Sequence, residues 1–230
     1  MRVSTILLIL SFFAVLLNPL LGEDAFRSWS LSEAVEILTK SPWVRQETFT
    51  RVVGGVGSGI QGEKEIYSTY FVRLISAGPV RQAYARVKLI NLGYDQLPDE
   101  EKQRVDREIE EIVDLDVSEW IVVAVSFRSN SQNQESGFDR FLERESLETM
   151  KNLAYLSTEK FPRIQLNAYY PPREASVGAK FVFPRNLKNA PVVTPDDETI
   201  VFEFDTPGNE SALRAIFPVQ EMIISGKLIL

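Results

Sequence analysis

The chain has 230 residues, 44% of them hydrophobic and 25% charged, with 25 Lys and Arg against 32 Asp and Glu. Those proportions belong to an ordinary globular protein and exclude collagen-like, disulfide-dense and wholly disordered classes. The net charge of −7 argues against a nucleic-acid binder. The absence of Cys and His removes thiol nucleophiles, disulfides, imidazole bases and nearly every zinc site.

Arg2 is followed by an apolar run from Ile6 to Leu17, broken only by Ser11, and then by Asn18 and Pro19. A positive start, a short apolar stretch and a helix breaker form the pattern of a secretory signal peptide. The run falls short of the roughly 20 apolar residues a spanning helix needs, which leaves an uncleaved membrane anchor as the minority alternative. Residues 1–22 are therefore read as a signal peptide and 23–230 as the exported body. The expected location is periplasmic or extracellular.

Ser30 and Glu33 have the spacing of a capping box, which opens a helix whose apolar residues are Leu31, Ala34, Val35 and Leu38. Pro42 ends it, and Trp43 is expected to fold back as an apolar plug. Strands follow at Thr48–Val53 and Ile66–Ile75, separated by the glycine-rich segment Gly54–Gly62. A second helix runs from Pro79 to Gly93, with Val80, Ala83, Tyr84, Val87 and Ile90 on one face and Arg81, Arg86 and Lys88 toward water. A third begins at Pro98 with acids in its first turn and buries Val105, Ile109, Ile112 and Val113.

Trp120–Phe127 is almost continuously apolar, as suits a central strand covered on both faces. Ser129–Gly137 reads as a polar surface loop and Phe138–Met150 as a short fourth helix. Eight of the 12 prolines lie beyond residue 160, where short strand patterns recur at 163–169, 179–183, 199–204, 213–219 and 222–229. Ile200, Phe202 and Phe204 share one face, as do Leu213, Ala215, Phe217 and Val219. The expected fold is α+β: an antiparallel or mixed multi-stranded sheet with three or four packed helices and an all-β C-terminal part. One domain is the first choice, with a subdivision near residue 160 as the alternative.

Gly57-x-Gly59-x-x-Gly62 matches the dinucleotide fingerprint, but a strand pattern follows where the motif needs a helix. It reads as a hairpin connection, and no cofactor is expected. Asp114 with Asp116, and Asp196-Asp197-Glu198, lack the ligand spacing of a calcium loop and read as helix-end and turn acids. Ser157-x-x-Lys160 is a Ser–Lys match placed in a turn before Phe161-Pro162. No pair of carboxylates stands out, and neither a catalytic nor a metal residue is assigned. Tyr169-Tyr170-Pro171-Pro172-Arg173 is the candidate contact surface: stiff, aromatic, with Arg173 free to meet a carboxylate. The competing reading makes it a rigid strand connection with its tyrosines in the core. Asn209-Glu210-Ser211 fits a glycosylation acceptor.

The segments Ser32-Glu33-Ala34-Val35-Glu36-Ile37-Leu38-Thr39-Lys40-Ser41-Pro42-Trp43 and Phe71-Val72-Arg73-Leu74-Ile75-Ser76-Ala77-Gly78-Pro79-Val80-Arg81-Gln82-Ala83 resemble exported, uncharacterised proteins of soil-type bacteria. These pair a helix ending in Ser-Pro-Trp with a strand that runs into a Pro-Val-Arg helix. The resemblance covers residues 30–93; it implies a bacterial envelope setting and supplies no activity or ligand. The functional expectation is an exported, noncatalytic binding or interaction module, with an envelope protein or polymer as partner. The alternatives are a carboxylate-dependent hydrolase of an envelope or extracellular polymer, and a structural subunit of an envelope assembly. Enzymatic activity stays open, leaning against.

Overall fold

A computed structural model describes residues 24–54, 63–173, 177–206 and 212–230. The segment 1–22 read as a signal peptide, the GxGxxG stretch within 55–62 and Asn209 of the Asn-Glu-Ser pattern lie outside the described residues.

The chain begins with a short 3-10 turn (Ala25–Ser28) and helix α1 (Leu31–Lys40). The capping box forms as expected: Ser30 Oγ accepts from the Glu33 N–H, while Glu33 accepts from the Ser30 N–H at 2.7 Å. The buried stripe of α1 is Ala34, Ile37 and Leu38; Leu31 and Val35 face outward, 45% and 42% exposed. Strand β1 (Val44–Gly54) follows, then β2 (Glu63–Leu74), α2 (Gly78–Asn91), α3 (Asp99–Val113) and β3 (Trp120–Ser129). Helices α4 (Gln132–Arg144) and α5 (Leu147–Leu153) come next. The polar loop expected at 129–137 is thus mostly the first two turns of α4. Phe138 and Leu142 anchor that helix in the core, which overrides its polar, glycine-containing start.

From residue 154 on, no described residue is α-helical. The strands are β4 (Ala154–Ser157), β5 (Ile164–Gln165), β6 (Ala168–Tyr170), β7 (Ala179–Pro184), β8 (Asn186–Leu187), β9 (Ala190–Pro191), β10 (Thr199–Phe204) and β11 (Leu213–Pro218). A last hairpin pairs Ile223–Ile224 with Lys227–Leu228. The fold is α+β, with five α-helices among the described residues and antiparallel strand pairing throughout.

Two sheets carry the architecture. The larger has the order β1-β2-β3-β7-β6, and the smaller β11-β10-β4-β5. Strand β3 sits at the centre of the larger sheet, as its unbroken apolar run requires. Strands β6 and β7, from beyond residue 160, complete a sheet begun by β1 to β3. One hydrophobic cluster therefore includes residues from both halves of the chain.

One face of the larger sheet meets the smaller sheet through phenylalanines. Phe181 lies 5.4 Å from Phe202 and 5.1 Å from Phe204, and Phe183 lies 6.2 Å from Phe202. These rings are all fully buried. The other face is covered by α1 and α2, with α3 packed on α2. Because α2 is flanked by both neighbours, its outer face is narrower than its periodicity implies. Arg81 donates to the Ile75, Ser76 and Val113 carbonyls, Arg86 to the Trp29 carbonyl, and Lys88 pairs with Glu108 at 2.6 Å. Trp43 is fully buried, as expected, and its Nε1 donates to the Ile229 carbonyl at 2.7 Å.

Gly178 enters β7 at φ +100°, where an added Cβ would overlap the Val125 carbonyl of β3. Gly137 lies inside α4 with nothing near its missing Cβ. Gly178→Ala is expected to destabilise the protein by about 2 kcal/mol or more through that overlap and its backbone strain. Gly137→Ala is expected to stabilise by about 0.5–1 kcal/mol through helix propensity. Urea denaturation of the two variants checks both signs.

Candidate functional site

The register places one row of residues straight across the larger sheet: Val44, Arg73, Ala124, Lys180 and Tyr170. Directly opposed residues share a face, and this row lies on the side covered by α1 and α2. The helices bury Val44, Arg73 and Ala124. Lys180 is half-buried and Tyr170 is 55% exposed, so the row emerges from the helix layer at the β6 edge. The next row, with Gln46 and Ser126 flanking Phe71, is mixed in polarity and partly open.

Arg73 is 9% exposed, a charged group at the C-terminal end of β2 between the buried Val72 and Leu74. Its Nε donates to the Leu38 carbonyl at 2.9 Å and its Nη1 to Ser126 Oγ at 2.9 Å. Leu38 lies in the last turn of α1, where the helix dipole favours a cation. The guanidinium also lies 4.9 Å from the Phe71 ring centroid and 6.0 Å from that of Tyr84. Burial lowers its pKa, and the Arg128 charge pushes the same way. Arg73 is held by neutral partners rather than a carboxylate.

Lys180 is the less satisfied cation. Among the described residues it has neither a hydrogen bond nor an ion pair. Burial lowers its pKa, and the neighbouring Arg173 lowers it further. Arg173 is exposed and likewise unpaired among the described residues. By contrast, Arg128 is paired with Glu135 at 2.7 Å.

The candidate contact surface at 169–173 therefore divides. Tyr169 belongs to the core: it is 9% exposed, packs edge-on against Phe181, and donates its hydroxyl to the Leu142 carbonyl at 2.6 Å. Burial pushes its pKa above the ordinary tyrosine range. Tyr170 and Arg173 remain outside, and the structure adds Lys180 beside them. Sequence reasoning missed Lys180 and Arg73, although Lys180 as the one cation of β7 and Arg73 inside the apolar run 71–75 were visible signals.

The other sequence candidates are occupied locally. Asp116 accepts from the Ser118 N–H, which lowers its pKa. Asp197 accepts from both the N–H and the hydroxyl of Thr194. Thr158 bridges the Val192 carbonyl and the Phe161 N–H, which makes the Ser157–Lys160 match a turn. Asp139 has a raised pKa from burial and from Glu135 and Glu143, its neighbours one turn away on the same helix. That arrangement sets the carboxylates side by side along α4 rather than across a cleft.

Comparison with family models, with curated proteins and with solved structures finds no match. No described helix is long and apolar enough to cross a membrane.

Lys180→Met keeps the buried stem and removes the charge. Burial disfavours the charged form of Lys180 in the folded state, so the variant is expected to be more stable than wild type at neutral pH. As pH rises toward the ordinary lysine value of 10.5, the folded state sheds its proton before the unfolded state does. Wild type then gains stability and the difference narrows. Urea denaturation at about pH 7 and about pH 10 checks that sign.

Proposed function

We propose that this chain is an exported, noncatalytic binding module of the cell envelope that holds an acidic protein or polymer on the rim formed by Tyr170, Arg173 and Lys180. The observation that carries the reading is Lys180: a half-buried ammonium beside a second cation, with no carboxylate partner among the described residues. Burying a charge without a partner is unfavourable, and an incoming anion would offset that cost. The chain carries net negative charge, yet Arg73, Lys180 and Arg173 share this region without touching an acid among the described residues. Tyr170 supplies rigid exposed area next to the charges, as contact surfaces use tyrosine. The leader-like segment at 1–22 supports placement outside the cytosol.

Titration of the purified protein with polyglutamate and, separately, with long-chain polyphosphate tests the ligand class. Binding is expected to weaken with salt, and Lys180→Glu or Arg173→Glu to weaken it by about tenfold or more. Equal affinity of wild type and both variants would remove the rim from the reading. Fractionation of the native cell, with N-terminal sequencing of the product, is expected to place it outside the cytosol with its leader removed after Gly22. An intact chain in the cytosol would overturn the exported setting.

A further inference from the structure

Strand β1 is the outer strand of the larger sheet: β11 packs near it, where Arg45 Nε donates to the Ile216 carbonyl, but no further strand is hydrogen-bonded to its outer side among the described residues. In the β1–β2 ladder the Leu74 N–H bonds the Trp43 carbonyl, which fixes the alternation. Arg45, Glu47, Phe49, Arg51 and Val53 face β2, while the backbone N–H and C=O groups of Gln46, Thr48, Thr50 and Val52 point away from it. Among the described residues no strand pairs with that side. Side chains do not screen it either: Val52 is 57% exposed, and Gln46 through Thr48 and Thr50 through Val52 are all exposed.

The other sheet edges are blunted. Strand β6 has three residues and runs into Pro171-Pro172, and β5 has two. Strand β11 ends at Pro218, and its Ile216 carbonyl is taken by Arg45 Nε at 2.6 Å. Short strands, prolines and lysines are the usual protection of an edge. Strand β1, at 11 residues, contains neither proline nor lysine.

We infer that the occupant of this edge is β1 of a second copy, paired antiparallel about Phe49. That register sets Glu47 opposite Arg51 of the other copy, and does so twice by symmetry. Thr48 faces Thr50, Gln46 faces Val52, Arg45 faces Val53, and Phe49 faces itself. Glu47 and Arg51 fall at non-hydrogen-bonded positions, where opposed side chains approach most closely.

Neighbouring registers are worse. Centring on Glu47 or on Arg51 sets like charges against each other, and centring on Thr48 opposes Arg45 to Arg51. Centring on Thr50 loses the ion pairs. The strand is complementary to itself in one alignment, which is the property a two-fold interface needs.

Sedimentation equilibrium of the purified protein tests this and is independent of any ligand. A concentration-dependent dimer is expected. Glu47→Arg and Arg51→Glu alone should each raise the dimer Kd by about tenfold or more, and the double variant should return it to within about threefold of wild type. Thr48→Pro deletes an outward N–H that β2 does not use, so it should give a monomer with an unchanged near-ultraviolet spectrum. A wild-type monomer at all concentrations overturns the inference, as does a foreign peptide found on the edge. It also falls if the single charge variants dimerise like wild type, or if the double variant stays monomeric.

Discussion

The rest of the structure depends on a phenylalanine seam that joins the two sheets. Phe181 and Phe183 project from β7 of the larger sheet, and Phe202 and Phe204 from β10 of the smaller. The rings meet at tilted or near-perpendicular angles rather than flat stacks, as their quadrupoles prefer. Phe138 of α4 joins at 6.4 Å from Phe204 and reaches Tyr70 of β2 at 5.3 Å. The seam buries one face of the larger sheet, so the other face is free to take the helices. That double coverage is why β3 can be apolar on both sides.

Double coverage also creates the charged rim. A sheet face under helices is dry at its centre and wet at its border, and any cation on a strand there becomes partly desolvated. Arg73 lies deep enough to be satisfied by the end of α1, a hydroxyl and two rings. Lys180, two strands away in the same row, reaches the border without comparable partners. Stability alone would favour a neutral residue at 180. A residue kept against stability in an accessible position is the kind of trade that binding sites show.

Much of this was readable from local pattern. The Ser30–Glu33 box, the strand limits at Thr199–Phe204 and the alternation through Leu213 and Phe217 are properties of short stretches, and they hold in the structure. The failures came where distant packing decides. Val35 falls on the apolar side of a helical wheel, but the layer below is met by Ile37. Gln132–Gly137 looks like a loop until Phe138 and Leu142 are seen to dock. Tyr169 and Tyr170 are adjacent and chemically identical, and only strand β6, by sending alternate residues to opposite faces, makes one core and the other surface. The Lys180 environment depends on β2, β3 and β7 being neighbours, which no local window contains.

The two proposals have a joint geometric consequence. Antiparallel pairing of β1 with its copy directs opposed residues to the same face, so both helix layers and both rims would lie on one side of a continuous sheet. From one Lys180 to the other the path crosses seven strand spacings, roughly 34 Å, and runs ten residues along the strands because Val44 faces Gly54 of the copy, which gives a span of roughly 48 Å. A short anion could occupy only one rim, whereas an acidic polymer longer than that span could engage both. The second contact would then be intramolecular, and weak single-rim binding would rise steeply with polymer length. Among the described residues, a strand side unpaired at one end of the sheet and cations unpaired near the other are thus explained together by a two-fold receptor for a long acidic chain.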